Sequence, residues 1–446
     1  MLDIRFIREN AETVEKKAEQ KGYKVDVKHL LELDDKRRSL LSEIEELRAK
    51  RNELSQSVSV SPSPSPEDGD QDIMPPSKES IAEGRRIKEK LSKFGAELEP
   101  VDRKFWALLK AVPNMPTNDV PVGTSEADNI VAKEWGEKPK FDFEPKTHWE
   151  IAEARGLIDK ERAAKVTGSR FAYIKGDLVR LQLAIMQFVI DSLTSENTIK
   201  KIIQEFGLKG LSSKPFVPVL PPLMIRTEVF DAMDRLEPKN ERYKIDSEDL
   251  WLQGSAEHTL GPFHMDEVLS ADELPMRYLG YATSFRREAG TYGKDTEGII
   301  RMHQFDKLEM ESFTLPEEGA REHKLMIAIQ EYLMQQLELP YHVLKKCTAD
   351  IGKPNASGVD LEVWLQGHKR YLETHTADYM TDYQTRRLNI KVKKMDKEPL
   401  FVHTNDATAF ALGRTMIAII ENYQQADGTV QIPKALQPYM HGQTSF

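Results

Sequence analysis

Two neighbouring runs, Tyr281-Ala-Thr-Ser-Phe-Arg-Arg-Glu-Ala-Gly290 and Gly298-Ile-Ile-Arg-Met-His-Gln-Phe-Asp-Lys-Leu-Glu309, decide how this chain is read. Leu274 to Glu288 and Ile299 to Phe313 read as two β-strands, joined by a loop carrying Gly290, Gly293 and Gly298. Phe285-Arg286-Arg287-Glu288 sets Arg286 and Glu288 two apart, and residues two apart on a strand face the same way. An arginine can hold a phosphate by two hydrogen bonds, and a glutamate can accept from an adenine amino group. The pair alone also fits a surface salt bridge, so its meaning depends on what surrounds it.

Further out, Arg180 to Phe206 reads as one long amphipathic helix. Phe216-Val-Pro-Val-Leu-Pro-Pro-Leu-Met-Ile225 reads as an extended strand whose prolines suit a sheet edge or an interface. From Val120 to Phe446, helical and strand segments mix without the strand–helix alternation of a parallel sheet. Residues 113–446 are therefore expected to be α+β, built around an antiparallel sheet.

Residues 1–112 carry a different pattern. Leu33, Leu40, Ile44, Leu47 and Leu54 follow a heptad seam, with Arg37 and Arg51 at intervening seam positions. Ile87, Leu91, Phe94, Leu98, Val101, Phe105, Leu108 and Val112 then step by alternating fours and threes. Ser57 to Pro76 is too rich in proline and serine to be helical, and a disordered tip is expected there. Two helices of about 26 residues sharing one seam must run antiparallel, giving an arm about 40 Å long. Pro113 and Pro116 end it. So thin an element has no room for a pocket, so its use must be contact with something large.

Composition limits the alternatives. The formal net charge is −10, which argues against a nucleic-acid partner, but basic residues cluster in the arm at Arg37, Arg38, Arg48, Lys50 and Arg51 and again from Lys78 to Lys93. Acidic residues are interleaved there, so charge alone equally fits a solvated coiled coil. No run approaches the roughly 20 apolar residues that span a bilayer, and a cytoplasmic location is expected. Cys347 is the only cysteine, which excludes a disulfide framework and a thiolate-rich zinc site. His258 and His264 lack metal-ligand spacing, and no zinc is expected. There is no phosphate-binding Gly-x-x-x-x-Gly-Lys-Ser/Thr loop and no Gly-x-Gly-x-x-Gly. Lys394-Met-Asp-Lys397 faintly resembles the lysine loop of class I synthetases, but the companion His-x-Gly-His is missing.

A second informative run is Ala411-Leu-Gly-Arg-Thr-Met-Ile-Ala-Ile-Ile-Glu421, a glycine and arginine opening an apolar helix. Together with Arg286, Glu288, Arg301, Phe305 and Glu309 at their offsets, it resembles motifs 2 and 3 of the class II aminoacyl-tRNA synthetases. Glu421-Asn-Tyr-Gln-Gln-Ala-Asp-Gly428, Ile432-Pro-Lys-Ala-Leu-Gln-Pro-Tyr-Met440 and His148-Trp-Glu-Ile-Ala-Glu153, with Gly156 to Phe171, are similar to the seryl branch specifically. Leu220-Pro221-Pro222 falls where motif 1 has its dimer-interface proline. The resemblance spans nearly the whole chain, arm included.

It implies a fold, an activity and a set of residue roles. Arg286, Glu288 and Arg414 would be catalytic. ATP would be bound by Arg286, Arg287, Glu288, Arg301, Phe305, Glu373, Thr374, His375, Thr376 and Arg414, with Arg286 on the α-phosphate, Phe305 under adenine and Arg414 on the γ-phosphate. Glu373 and Thr376, in Tyr371-Leu-Glu-Thr-His-Thr376, match the family's Glu-Ile-Ser-Ser and would ligate Mg²⁺. Ser255-Ala256-Glu257 matches its Thr-Ala-Glu, and with Glu309 and Thr408 would bind serine. Around Thr408 the family's Leu-Asn-Gly-Ser-Gly becomes Asn405-Asp-Ala-Thr-Ala409, a looser match. The implied reaction activates serine with ATP and transfers it to serine tRNAs, with selenocysteine tRNA a further candidate acceptor. A homodimer is implied, with the arm as the tRNA-binding element. A relative acting on a non-tRNA acceptor is the nearest alternative, and the arm argues against it.

Overall fold

The structure, a computed structural model, describes residues 1–59, 77–289, 297–395 and 397–446. It divides into two compact units, one of Leu2–Glu19 with Tyr23–Pro113, the other of Met1, Gln20–Gly22 and Asn114–Phe446.

In the first unit, two short helices precede a hairpin of α1 (Val27–Ser59) and α2 (Lys78–Ala111). At 33 and 34 residues these are longer than the seam predicts, about 50 Å each at 1.5 Å per residue. Ser57–Ser59 are still helical, so the break comes later than expected; the rest of the predicted tip, residues 60–76, lies outside the described residues. Ser77 opens α2 by accepting a hydrogen bond from the Ser80 N–H. Leu40 and Ile44 are buried with Ile87, Val101, Phe105 and Val112, but Leu109 is buried where Leu108 was expected. Arg37 sits in the seam because Asp102 accepts from its Nε at 2.5 Å and its guanidinium lies 5.1 Å from the Phe105 ring centre.

The second unit is organised by an eight-stranded sheet. Its strands are β1 (Ile130–Trp135), β2 (Val217–Val219), β3 (Met276–Phe285), β4 (Gln304–Thr314), β5 (Tyr341–Lys345), β6 (Ser357–Leu365), β7 (Arg370–Thr381) and β8 (His403–Ala411), in the order β1-β5-β6-β7-β8-β4-β3-β2. Every pairing is antiparallel except β2 with β3. The predicted α+β class with an antiparallel sheet is what is found.

Helices cover one face: α3 (His148–Ala154), α4 (Asp177–Leu193), α5 (Glu196–Glu205), α6 (Gly319–Gln336) and α7 (Leu412–Tyr423). α6 lies on β7 and β8, while α7 lies on β4 and β6 and against α4. Leu308, Met310, Ala377, Ala407 and Phe410 of the sheet share one core with Leu325, Ile329, Leu333, Met416 and Ile420 of these helices. Each buried Leu or Ile side chain there contributes about 1.5–3 kcal/mol.

Two predicted elements divide. Arg180–Phe206 is two helices meeting at 80°, because Ser195 accepts from the Thr198 N–H and starts a new helix. Phe216–Ile225 is not one strand: Val217–Val219 joins the sheet edge, and Met224–Arg226 joins a separate three-stranded sheet beyond Pro221-Pro222. Among the described residues, no single helix is long and apolar enough to cross a membrane.

Candidate active site

The uncovered face of the sheet is polar. On β4, Phe305, Lys307, Glu309 and Glu311 alternate with Leu308 and Met310, so strand geometry turns the first set away from the helices. Cross-strand partners extend that face: Glu309 opposite Thr408, Glu311 opposite Asp406, Asp406 beside Asp378, and Thr376 opposite Asp360. Glu373 and Thr376, three apart, would face opposite ways on a regular strand. A register shift on β7, where Leu361 and Glu362 pair with His375 and Glu373, leaves Thr374 as an extra residue and realigns the two.

All of the side chains named on that polar face but Glu311 and Asp360 line a cleft of about 300 Å³ together with Arg235, Glu257, Arg286, Glu288, Arg301 and Arg414. Eleven predicted site residues meet there: Glu257, Arg286, Glu288, Arg301, Phe305, Glu309, Glu373, Thr374, Thr376, Thr408 and Arg414. Four do not line it. Ser255 and Ala256 are buried behind the wall, Ser255 accepting from Lys307 Nζ at 3.0 Å. His375 turns to the helix side, 5.1 Å from the Phe410 ring, and burial lowers its pKa to about 3. Arg287 lies over Tyr243, with its N–H bonded to the Glu241 carbonyl.

At one end of the cleft the charges are cationic and partly open. β3 stops at Phe285, so Arg286 and Glu288 converge on the cleft from a turn and not from strand periodicity, a correction to the expected geometry. Glu288 adopts φ = 52°, a backbone conformation costing an ordinary residue about 1 kcal/mol or more. Its carboxylate takes the Arg301 guanidinium at 2.6 Å, and Arg286 donates to the Gly254 carbonyl at 2.9 Å beneath the Phe305 ring, 5.4 Å away. Arg414, in the first turn of α7, donates to the Glu373 carbonyl at 2.6 Å and lies 3.3 Å from its carboxylate. The cost to Glu373 of its place in the cleft is outweighed by Arg414, Lys346 and Arg286, which hold its carboxyl below the ordinary value.

The other end is closed and acidic. Lys307 pairs with Glu309, both buried. Burial opposes the Lys307 charge, but Glu309 and Glu257 overcome it and raise its pKa. Burial likewise pushes the Glu257 carboxyl up, and Lys307, His258 and Arg235 reverse this, holding it well below the usual carboxylate range. Arg235 faces Asp406 at 3.2 Å and Asp378 at 3.8 Å. Burial, reinforced by Asp378 and Glu257, still pushes Asp406 up to about 8. Lys307, Arg235, Asp378 and Asp406 were not singled out from sequence. The signal that could have found them is a strand alternating charged with apolar residues inside an otherwise hydrophobic region.

The two other inspected histidines are engaged locally: His258 Nδ1 accepts from the Gly254 N–H, and His264 bonds Glu267 and Tyr278. Cys347 is buried, its thiol 3.2 Å from the Ser125 carbonyl.

Comparison with known proteins gives a consistent picture. A family model for the seryl-tRNA synthetase N-terminal domain matches residues 1–116, and one for the class II synthetase core domain (glycine, histidine, proline, serine and threonine enzymes) matches residues 242–423. The chain is 38% identical over 443 residues to the serine–tRNA ligase of Thermodesulfovibrio yellowstonii, covering 99% of each. It is 39% identical over 445 residues to that of Geotalea uraniireducens, again covering 99% of each. Among solved structures, seryl-tRNA synthetase from Pyrococcus horikoshii complexed with ATP superimposes with a TM-score of 0.84 at 36% identity, over 100% of this chain and 99% of that one. Cytoplasmic serine–tRNA ligase from Naegleria fowleri in complex with AMP gives 0.82 at 27% identity, over 100% and 98%.

Proposed function

The chain belongs to the seryl-tRNA synthetase family, and on that premise we propose how its residues carry out the serine–tRNA ligase reaction. The supporting observation is one cleft with two chemically distinct ends, arginines and an aromatic ring at one, carboxylates and a hydroxyl at the other. ATP takes the first end, as the ATP held by the Pyrococcus relative suggests. Arg286 binds the α-phosphate, Arg414 the γ-phosphate, Phe305 stacks on adenine, Glu288 accepts from its amino group, and Arg301 steadies Glu288. Serine takes the second end, its ammonium between Glu257 and Glu309 and its hydroxyl at Thr408.

No protein nucleophile is needed. The serine carboxylate attacks the α-phosphorus, the bond to the β,γ-phosphates breaks, and pyrophosphate leaves. A hydroxyl of the terminal adenosine of tRNA then attacks the adenylate carbonyl, releasing AMP. Catalysis is positioning together with cationic stabilisation of charge on the phosphates. Lys307 keeps Glu257 ionised, and offsets part of the burial that raises the Glu309 carboxyl, without itself touching phosphate. Losing the substrate hydroxyl strands buried polar groups, which rejects alanine.

Mg²⁺ suits this site. Glu373 and Thr376 offer oxygen ligands, and Asp360, opposite Thr376, has a buried oxygen without a hydrogen-bond partner, a donor set for a hard cation. When bound, the ion supplies charge neutralisation for the phosphates. Zinc is not assigned a role.

Residues 1–112 act as the tRNA-binding arm and residues 113–446 as the catalytic domain. Arg38, Arg48, Arg86 and Lys90 are exposed on the hairpin and available to phosphates. Serine tRNAs are the acceptors, and selenocysteine tRNA is a second acceptor to be assayed. The enzyme is a cytoplasmic homodimer. Its interface includes the sheet edge at β2, where Val217 is 52% exposed, Leu220 82% and Met224 47%, an apolar strip that calls for a cover.

The test is serine-dependent exchange of pyrophosphate into ATP. Serine should support it far better than alanine, glycine or threonine; comparable exchange with any of these overturns the serine pocket. Replacing Leu30–Val112 by a short linker should leave exchange within about three-fold and lower tRNA charging by about 10³-fold or more, because phosphate contacts dominate nucleic-acid affinity. Normal charging by the armless protein would refute the arm's role.

A further inference from the structure

Glu421 lies two turns along α7 from Arg414, outside the cleft and fully buried. Its carboxylate accepts from five N–H groups: the backbone N–H of His148, Gly367 and His368, at 3.1, 2.9 and 3.1 Å, and Nδ1 of His148 and His368, at 3.1 and 2.6 Å. Burial pushes this carboxyl up, but the hydrogen bonds from His148 and His368 more than reverse it, to about 2. One anion thus joins the start of α3, the β6–β7 turn and the helix bearing Arg414.

The far sides of both imidazoles meet a fourth segment. The Ile299 N–H donates to His148 Nε2 at 3.4 Å, which fixes the His148 proton on Nδ1, towards Glu421. His368 Nε2 lies 3.5 Å from Glu297, whose other oxygen accepts from Thr147 at 2.6 Å. Between them, Gly298 has φ = 54°, and a Cβ there would stand 2.0 Å from His148 Nε2. Glycine is required both by the backbone and by the ring. The next residues, Ile299, Ile300 and Arg301, line the cleft.

We propose that His148, His368 and Glu421 form a positioning node that sets where Ile299–Arg301 stand at the ATP end of the cleft, and so control ATP affinity without touching ATP. The inference rests on the assignment of that end to ATP. His148, His368 and Glu421 bring their ligand atoms within 4.8 Å of one another, close enough for a metal ion. The carboxylate is already saturated by N–H donors, however, and the Nδ1 atoms of the two rings, stacked at 5.5 Å and 23°, are both spent on its Oε1. Hydrogen bonding accounts for the arrangement.

The test measures pyrophosphate exchange, normalised by active-site titration, in His148→Phe, His148→Gln, His368→Gln and Gly298→Ala. His148→Phe, His368→Gln and Gly298→Ala should raise the KM for ATP by about 10-fold, as loss of an outer supporting contact does elsewhere, with the KM for serine within about two-fold. His148→Gln keeps an acceptor near Ile299 and should lie closer to wild type than His148→Phe. If both KM values are unchanged, or if kcat alone falls in step with the active fraction, the node is merely structural and the proposal fails. Stoichiometric metal in the purified protein also overturns it. Arg301→Ala separates the two layers: if it leaves the KM for ATP unmoved, the assignment of the cleft is at fault and not the node.

Discussion

The two ends of the cleft solve opposite electrostatic problems. The end proposed for ATP is built from guanidinium groups that keep partial contact with solvent, Arg301 and Arg414 being 26% and 24% exposed and each pre-paired with a carboxylate. Such groups pay little for their charge, so each acts nearly independently. The end proposed for serine buries Lys307, Glu257 and Glu309: the two carboxylates keep Lys307 charged and Lys307 keeps Glu257 ionised, while burial pushes the Glu309 carboxyl well up in spite of Lys307. Substitutions at the open end should therefore damage chemistry and spare the fold, while those at the closed end should damage both.

Lys307→Ala tests this most severely. Stripping the counter-charge from a buried ion pair costs about 3–5 kcal/mol, so the melting temperature should fall by several degrees and serine-dependent exchange by more than 10³-fold. A variant that melts like wild type would dissolve the contrast. Arg286→Ala and Arg414→Ala come next: each should lower adenylate formation at least about 10²-fold, roughly 3 kcal/mol of lost stabilisation, with melting almost unchanged. Lys397→Ala, in the class I-like run, should do nothing to exchange. The smallest effect is a slope. Asp406 is held protonated up to about 8, above its unfolded value, so its contribution to stability is full in acid and is lost as pH rises through about 8. Asp406→Asn cannot titrate and should flatten the decline of melting temperature between pH 5 and 9 by up to about 1.4 kcal/mol per pH unit at its steepest. An unchanged slope would mean that Asp406 is already ionised beside Arg235.

The same division separates what could be read from sequence. The open end was legible because Arg286, Glu288 and Arg414 sit in local runs with recognisable offsets. The hairpin was legible because a seam repeats, although helix ends and the shift from Leu108 to Leu109 were not, since pairing across the hairpin sets them. Arg235, Asp378 and Asp406 were missed because they come from segments far apart in sequence and meet only through strand pairing. Arg286 and Glu288 were placed correctly on the cleft by a wrong route, strand alternation where the chain in fact turns. The break at Ser195 failed to register because amphipathic periodicity continues across it while the axis does not.

The extra residue at Thr374 makes β7 a strand written in two reading frames. Before it, odd-numbered Glu373 faces the cleft and even-numbered Leu372 is core; after it, even-numbered Thr376 and Asp378 face the cleft and odd-numbered Ala377 is core. Deleting that single residue would leave one regular frame, with Glu373 still facing the cleft and His375 the core, but with Glu373 one residue closer to Thr376. Removing Thr374 should therefore spare the core and change only the spacing between Glu373 and Thr376 along the cleft.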